Sequence, residues 1–160
     1  MAESPRSQAM SPQAQLAGFV SKFLPGVAAE ARAALVRLRR LVPGAVELVY
    51  DNYNGLVIGF CPSERASEAV LSLVVYPRSV TICFLQDGPE LPDPSGLLKG
   101  SGSVVRHISL QSAANLDKPA IRALINVALA RAPVPIDSSG HRRLIIRSIS
   151  AKQRPRRPRT

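Results

Sequence analysis

Two short stretches hold side chains whose types and spacing suit chemistry. In Gly96-Leu97-Leu98-Lys99-Gly100-Ser101-Gly102 a lysine sits among glycines. Glycine-rich turns present backbone N–H groups to an anion, and a lysine adds a full positive charge. Lys99, Gly100 and Gly102 are therefore candidates for a phosphate cradle. Arg106 and His107 follow closely and extend the set for a small anionic ligand. His107 is also a side chain whose charge changes near neutral pH. The plainer reading is that these glycines shape turns needing positive φ ahead of a strand. The Gly-Lys-Ser/Thr ending of a Walker loop is absent, and a strand-like run follows where a helix belongs.

The second stretch is Val46 to Tyr53. On an alternating strand Glu47 and Asp51 share one face, opposite Val46, Leu48 and Tyr50. With Tyr53 they form a set for a hard metal or for acid–base work. The competing reading is two carboxylates on the solvated face of a sheet. There is no Ser-His-Asp order, no HExxH and no paired CxxC. No catalytic residue, metal site or cofactor is assigned, and a non-enzymatic binding module is expected. Cys61 and Cys83 read as reduced core thiols, and His141, beside Arg142 and Arg143, as a residue of a basic extension.

Charge is concentrated at one end. The chain of 160 residues has a net charge of +10, and its stretch 137–160 holds 8 Lys and Arg against one Asp. Lys152, Arg154, Arg156, Arg157 and Arg159 alternate with prolines and lack an apolar anchor, so the chain is expected to be disordered at least from residue 151. Arg154, Arg156, Arg157 and Arg159, together with Arg37 and Arg40 on a basic helix face, are candidate nucleic-acid contacts through phosphate charge. Against this, aromatics are only 4% of the chain, which leaves few side chains for base stacking.

The elements that position these residues follow from periodicity. Pro12–Phe23 and Val27–Leu41 carry helical stripes, the second with Ala31, Ala34, Leu35, Leu38 and Val42 on one face. Strands are expected over Val46–Tyr50, Leu56–Cys61, Ala69–Tyr76, Val80–Leu85 and Val104–Leu110. Asn54-Gly55 signals a two-residue hairpin. Asp117 is expected to cap a helix running to about Ala130. His141–Ser150 adds a sixth strand or lies extended on the surface. Long parallel crossovers are not visible. The expected core is Val46, Leu48, Leu56, Ile58, Leu73, Val75, Ile82, Phe84, Ile108, Ile121, Leu124 and Ile125. Residues 1–11 are expected to be disordered, 12–136 to form one domain, and 137–160 to form a basic extension. The class is α+β: an antiparallel five- to six-stranded sheet with one face covered by N- and C-terminal helices.

Three segments carry a family resemblance. Pro92-Asp93-Pro94, Gly96-Leu97-Leu98, Gly100-Ser101-Gly102 and the run Val104–Leu110 come first. Leu41-Val42-Pro43-Gly44-Ala45-Val46-Glu47 and the helix start Asp117-Lys118-Pro119 follow. The order within the first (acid, Gly-Leu-Leu, Gly-x-Gly, Arg, short strand, ahead of the last helix) resembles the YdhG-like family of small bacterial domains of unknown function, and the other two extend the match to roughly residues 27 to 131. The resemblance implies the same α+β fold. Some members are described as frataxin-like iron chaperones, which implies an acidic ridge. Here the corresponding helices carry Glu30 against Lys22, Arg32, Arg37, Arg39 and Arg40, and such a ridge repels Fe²⁺. The leading expectation is a cytoplasmic binding module with an unknown, small anionic ligand. The alternatives are a polyanion- or RNA-associated protein and an iron chaperone. No apolar run approaches the ~20 residues of a membrane helix, so no membrane partner is expected, and residues 1–15 show no secretory signal.

Overall fold

The computed structural model describes residues 10–159; the expected disorder of 1–11 falls, for residues 1–9, outside them. Helix α1 (Pro12–Ser21) begins where Ser11 accepts a 3.1 Å hydrogen bond from the Ala14 N–H. Pro12 occupies the first helical position, where its missing N–H costs nothing. Helix α2 (Pro25–Leu41) starts on a second proline. It presents Ala28, Ala31, Ala34, Leu35 and Leu38 to the core. Gly44, at φ 79°, then turns the chain into the sheet. A Cβ there would lie 2.1 Å from the Asp137 carbonyl oxygen, so only glycine lets loop 137–140 close over this turn.

Six strands form one sheet in the order β5-β4-β3-β2-β1-β6. They are β1 (Val46–Asp51), β2 (Leu56–Cys61), β3 (Leu71–Val75), β4 (Val80–Phe84), β5 (Arg106–Leu110) and β6 (Arg143–Ile149). The first five make an antiparallel meander. A capped 3₁₀ turn (Ala113–Asp117) and helix α3 (Pro119–Arg131) lie in sequence between β5 and β6, which is at the opposite edge and pairs parallel to β1. The fold is thus α+β with a mostly antiparallel, mixed sheet. The expectation that parallel crossovers are missing is corrected here. β6 realises the sixth-strand alternative for His141–Ser150; its parallel pairing with β1 was not legible, because the partner strand lies far earlier in the chain.

Helices cover one face. Every expected core position except Val46 and Leu48 lies in this layer, with Phe23, Phe60 and Leu116 among the largest fully buried side chains. Val46 and Leu48 pack instead on the other face with Cys61 and Ala69. β1 is therefore inverted relative to the sequence reading. Val49 faces the helices, and with it Glu47 and Asp51. The cause is position: β1 lies between β2 and β6, both its faces are buried, and a doubly buried strand does not reveal its inner face by alternation.

Two turns also differ. The β1–β2 hairpin has a four-residue connection, Asn52–Gly55, closed by the Asn52 N–H to the Gly55 carbonyl at 3.0 Å. Gly55 is not in the left-handed region; it is required because a Cβ would lie 2.7 Å from the Val75 carbonyl oxygen. Asp117 does not cap α3. Its carboxylate pairs with Arg37 at 3.0 Å, and Lys118 precedes Pro119 at the helix start.

Candidate functional site

The buried acids of β1 organise one end of the molecule. Glu47 and Asp51 are each 0% exposed. Glu47 accepts a two-pronged contact from Arg39 of α2, with Nη2 at 2.8 Å and Nε at 3.0 Å, and Arg142 lies at 3.7 Å. Asp51 is bound by Lys22 at 2.7 Å and by Arg156 at 2.9 Å. The solvated-face reading of these carboxylates is corrected by this burial. Burying a carboxylate demands cations and hydrogen bonds, and the helix layer and the C-terminal segment supply them. Burial alone would push the Asp51 carboxyl up, but the bonds from Lys22, Gln153 and Arg156 bring it below its ordinary value. Four residues of strand separate the two acids by roughly 13 Å, too far for one metal ion to bridge. Among the described residues no group of three or more His, Cys, Asp or Glu could hold a metal.

Asp51 is the point to which the last residues are fastened, and the expected disorder from residue 151 is corrected. Gln153 donates to the Asp51 carbonyl oxygen at 3.1 Å, and the Arg154 N–H to the Tyr53 carbonyl at 2.9 Å. Arg156 is 5% exposed. Its guanidinium reaches Asp51, donates to the carbonyls of Asn52 and Tyr53, and lies 5.5 Å from the centre of the Phe23 ring. Arg157 donates to the carbonyls of Ser21, Lys22 and Phe23, which are left over where α1 ends. A cation there also answers the negative end of the helix dipole. The prolines that argued for disorder instead suit an extended path with few main-chain donors to satisfy.

The ordered segment closes a groove of about 710 Å³ against the β3–β4 turn. This turn, Tyr76-Pro77-Arg78-Ser79, is held by the Tyr76 N–H to the Ser79 carbonyl at 2.8 Å. Arg78 lines one side, and Arg154, Arg157 and Arg159 line the other; no acid lines it. Arg78 reaches across to the Arg159 carbonyl at 3.1 Å. All four arginines are exposed, and none forms an ion pair among the described residues. Guanidinium groups keep their charge at any physiological pH and present forked donors suited to phosphate oxygens.

The structure brings three of the expected nucleic-acid contacts, Arg154, Arg157 and Arg159, to one place. Arg156 is not among them; it anchors the segment. Arg37 is engaged by Asp117, and Arg40 is exposed on α2. Arg78 was missed by sequence reasoning, because an arginine in a surface turn carries no local signal. The glycine-rich stretch is placed differently. The carboxylate of Asp93 accepts from the N–H groups of Leu97 and Leu98, each at 2.9 Å, so the chain's own acid fills that cradle. Gly96 and Gly100 have φ of 65° and 116°, as turn-forming glycines do; Gly102 does not. Lys99 pairs through its backbone with His107, and its ammonium is exposed and 3.4 Å from the Gly96 carbonyl. Arg106 and His107 project to opposite faces of β5, and the Arg106 guanidinium binds the carbonyls of Gly102 and Val105.

The chain matches no family model, no curated protein and no solved structure. Among the described residues no helix is long and apolar enough to cross a membrane.

Proposed function

We propose that this protein is a non-enzymatic binding module for a polyanion, held in the groove of Arg78, Arg154, Arg157 and Arg159. What carries the reading is that four exposed arginines line one concavity with no acidic side chain beside them among the described residues. Acids are at hand elsewhere: Glu47 pairs with Arg39 and Arg142, and Asp51 with Lys22 and Arg156. Like charges gathered without compensation repel one another, and a bound anion relieves that cost. The lining arginines come from two separate segments, the β3–β4 turn and residues 154–159, and four cations from two segments suit a chain of phosphates better than a single one. The carboxylates of β1 are paired with cations, so iron binding has no support in this region. The YdhG-like resemblance brings no ligand with it, and the groove alone supports this function.

The test is a salt series. Binding of the full chain to a 15-nucleotide single strand and to a base-free polyphosphate is measured from low to moderate salt. Changing Arg154 and Arg159 to Ala removes two phosphate contacts. It is expected to reduce the slope of log K against log salt on the single strand by about 1.4, at ~0.7 per phosphate. Absence of binding to both polyanions at low salt, or an unchanged slope, overturns the reading.

A further inference from the structure

The arginine groove does not stand alone. A second concavity, of about 380 Å³, adjoins it and shares Tyr76 as a wall. Tyr53, Asn52 and Asn54 of the β1–β2 connection line its other side. Tyr76 is 37% and Tyr53 47% exposed, although the chain has only three tyrosines and no tryptophan. Low aromatic content across the chain therefore hides a local concentration. Both rings flank the place where the last residues are fastened: the Tyr53 carbonyl receives Arg154 and Arg156, and Tyr76 begins the turn that carries Arg78. Gly55 keeps the space between them. A Cβ there would lie 3.3 Å from Tyr76 Cδ1, so the ring leans on bare backbone. The Asn52 and Asn54 side chains are exposed, and an amide offers both a donor and acceptors to a base edge.

We infer that the polyanion is a single-stranded nucleic acid, with phosphates along the arginine groove and a base stacked at Tyr76 and Tyr53. This rests on the polyanion reading and narrows it. Single-strand binders combine a positive groove that follows the backbone with aromatic faces that accept any base. A duplex keeps its bases inside and has nothing to offer the tyrosines, whereas arginines alone would not distinguish a strand from polyphosphate.

The full chain is titrated with U15, with dT15, with a duplex of the same length and with polyphosphate. Stacking on tyrosine quenches its fluorescence, and without tryptophan the signal comes from the three tyrosines alone. Quenching by either oligonucleotide and none by polyphosphate is expected. Tyr76→Leu combined with Tyr53→Leu should weaken oligonucleotide binding by roughly tenfold or more, within the span of one to two stacked bases. Polyphosphate binding should stay unchanged, and Tyr76→Phe should restore most of the loss. Both rings are exposed, so the folded state tolerates the changes. Equal effects on both ligands, no effect on either, or a duplex bound as tightly as the single strand would overturn the inference while leaving the polyanion reading intact. Failure of the wild-type chain to bind any of these ligands removes both.

Discussion

Replacing Arg156 by Ala takes away the most deeply buried of the side chains that fasten the C-terminal segment to the body. The change removes a 2.9 Å ion pair to a carboxylate that is 0% exposed, two hydrogen bonds to carbonyls, and a cation over Phe23. Stripping a buried charge of its only partner costs about 3–5 kcal/mol. Asp51 would still hold Lys22 at 2.7 Å, and water can follow the freed segment inward. Part of the penalty is thereby relieved, leaving an expected loss of about 2–3 kcal/mol. For a chain of this size that is roughly 4–12 °C in Tm. The buried Nε of Arg156 has no partner among the described residues, so the native arginine already carries a cost, which favours the lower half of that range. Circular dichroism melts and urea titrations of both chains decide the matter. Arg154→Ala, exposed and unpaired, is the control and should stay within about 0.5 kcal/mol of wild type. A double-mutant cycle with Asp51→Asn then isolates the pair. If Arg156→Ala melts within about 1 °C of wild type, the segment is not fastened through Asp51, and the groove it closes loses its rigid wall.

Two further outcomes follow from the same interior. Asp51 titrates below its ordinary value of 3.8, so its contribution to stability is fully present above that pH and is lost as pH falls through the folded-state value; urea midpoints should drop on acidification below about pH 4, less steeply in Asp51→Asn, and parallel curves would refute the assignment. Burial raises the Cys61 thiol to about 11, and Cys83 is raised by the same cause. Both should therefore react with a thiolate-selective disulfide reagent much more slowly at pH 8 in the native chain than in urea; equal rates would show that the outer face of the sheet is open.

Much of the fold was legible because its signals are local. Proline at the start of α1, α2 and α3, the helical stripe of α2, and the clusters of turn residues between strands each mark an element without reference to any other. β2, β3 and β4 are buried almost throughout, yet their inner face was legible because Leu56, Ile58, Leu73, Val75, Ile82 and Phe84 fall at every second position and pack under the helices. β1 and β6 were harder, each for its own reason. β1 is lined on both faces, and β6 finds its partner across a whole crossover. The direction of Glu47 and Asp51 depends on cations remote in sequence: Arg156 lies 105 residues from Asp51. Composition correctly marked the last residues as basic and proline-rich, but composition cannot see that one buried carboxylate awaits one of those arginines. For the groove, three of four arginines were singled out in the sequence. Arg78 and Tyr76 were not, and Tyr53 was grouped with Glu47 and Asp51, from which it is parted by being exposed while they are buried; their neighbourhood is made by folding.

The division of labour among the arginines follows from this. Arg39, Arg142 and Lys22 meet carboxylates, and Arg156 meets one from within the segment itself. Removing these cations from the reckoning leaves Arg78, Arg154, Arg157 and Arg159 around the groove without a countercharge among the described residues. Had the segment been free, its charges would spread through solvent, and mutual repulsion would keep them apart. Fastening at Asp51 reverses that: residues 154 and 157–159 are held near one another and near the β3–β4 turn, so the entropy of gathering them is met by folding rather than by ligand binding. A ligand then meets a preorganised set, the condition under which charge contacts yield affinity and not only attraction at a distance. The same logic ties the site to pH. Protonating Asp51, which requires a pH below its ordinary value of 3.8, removes the charge that pairs with Arg156 at the root of the groove's wall.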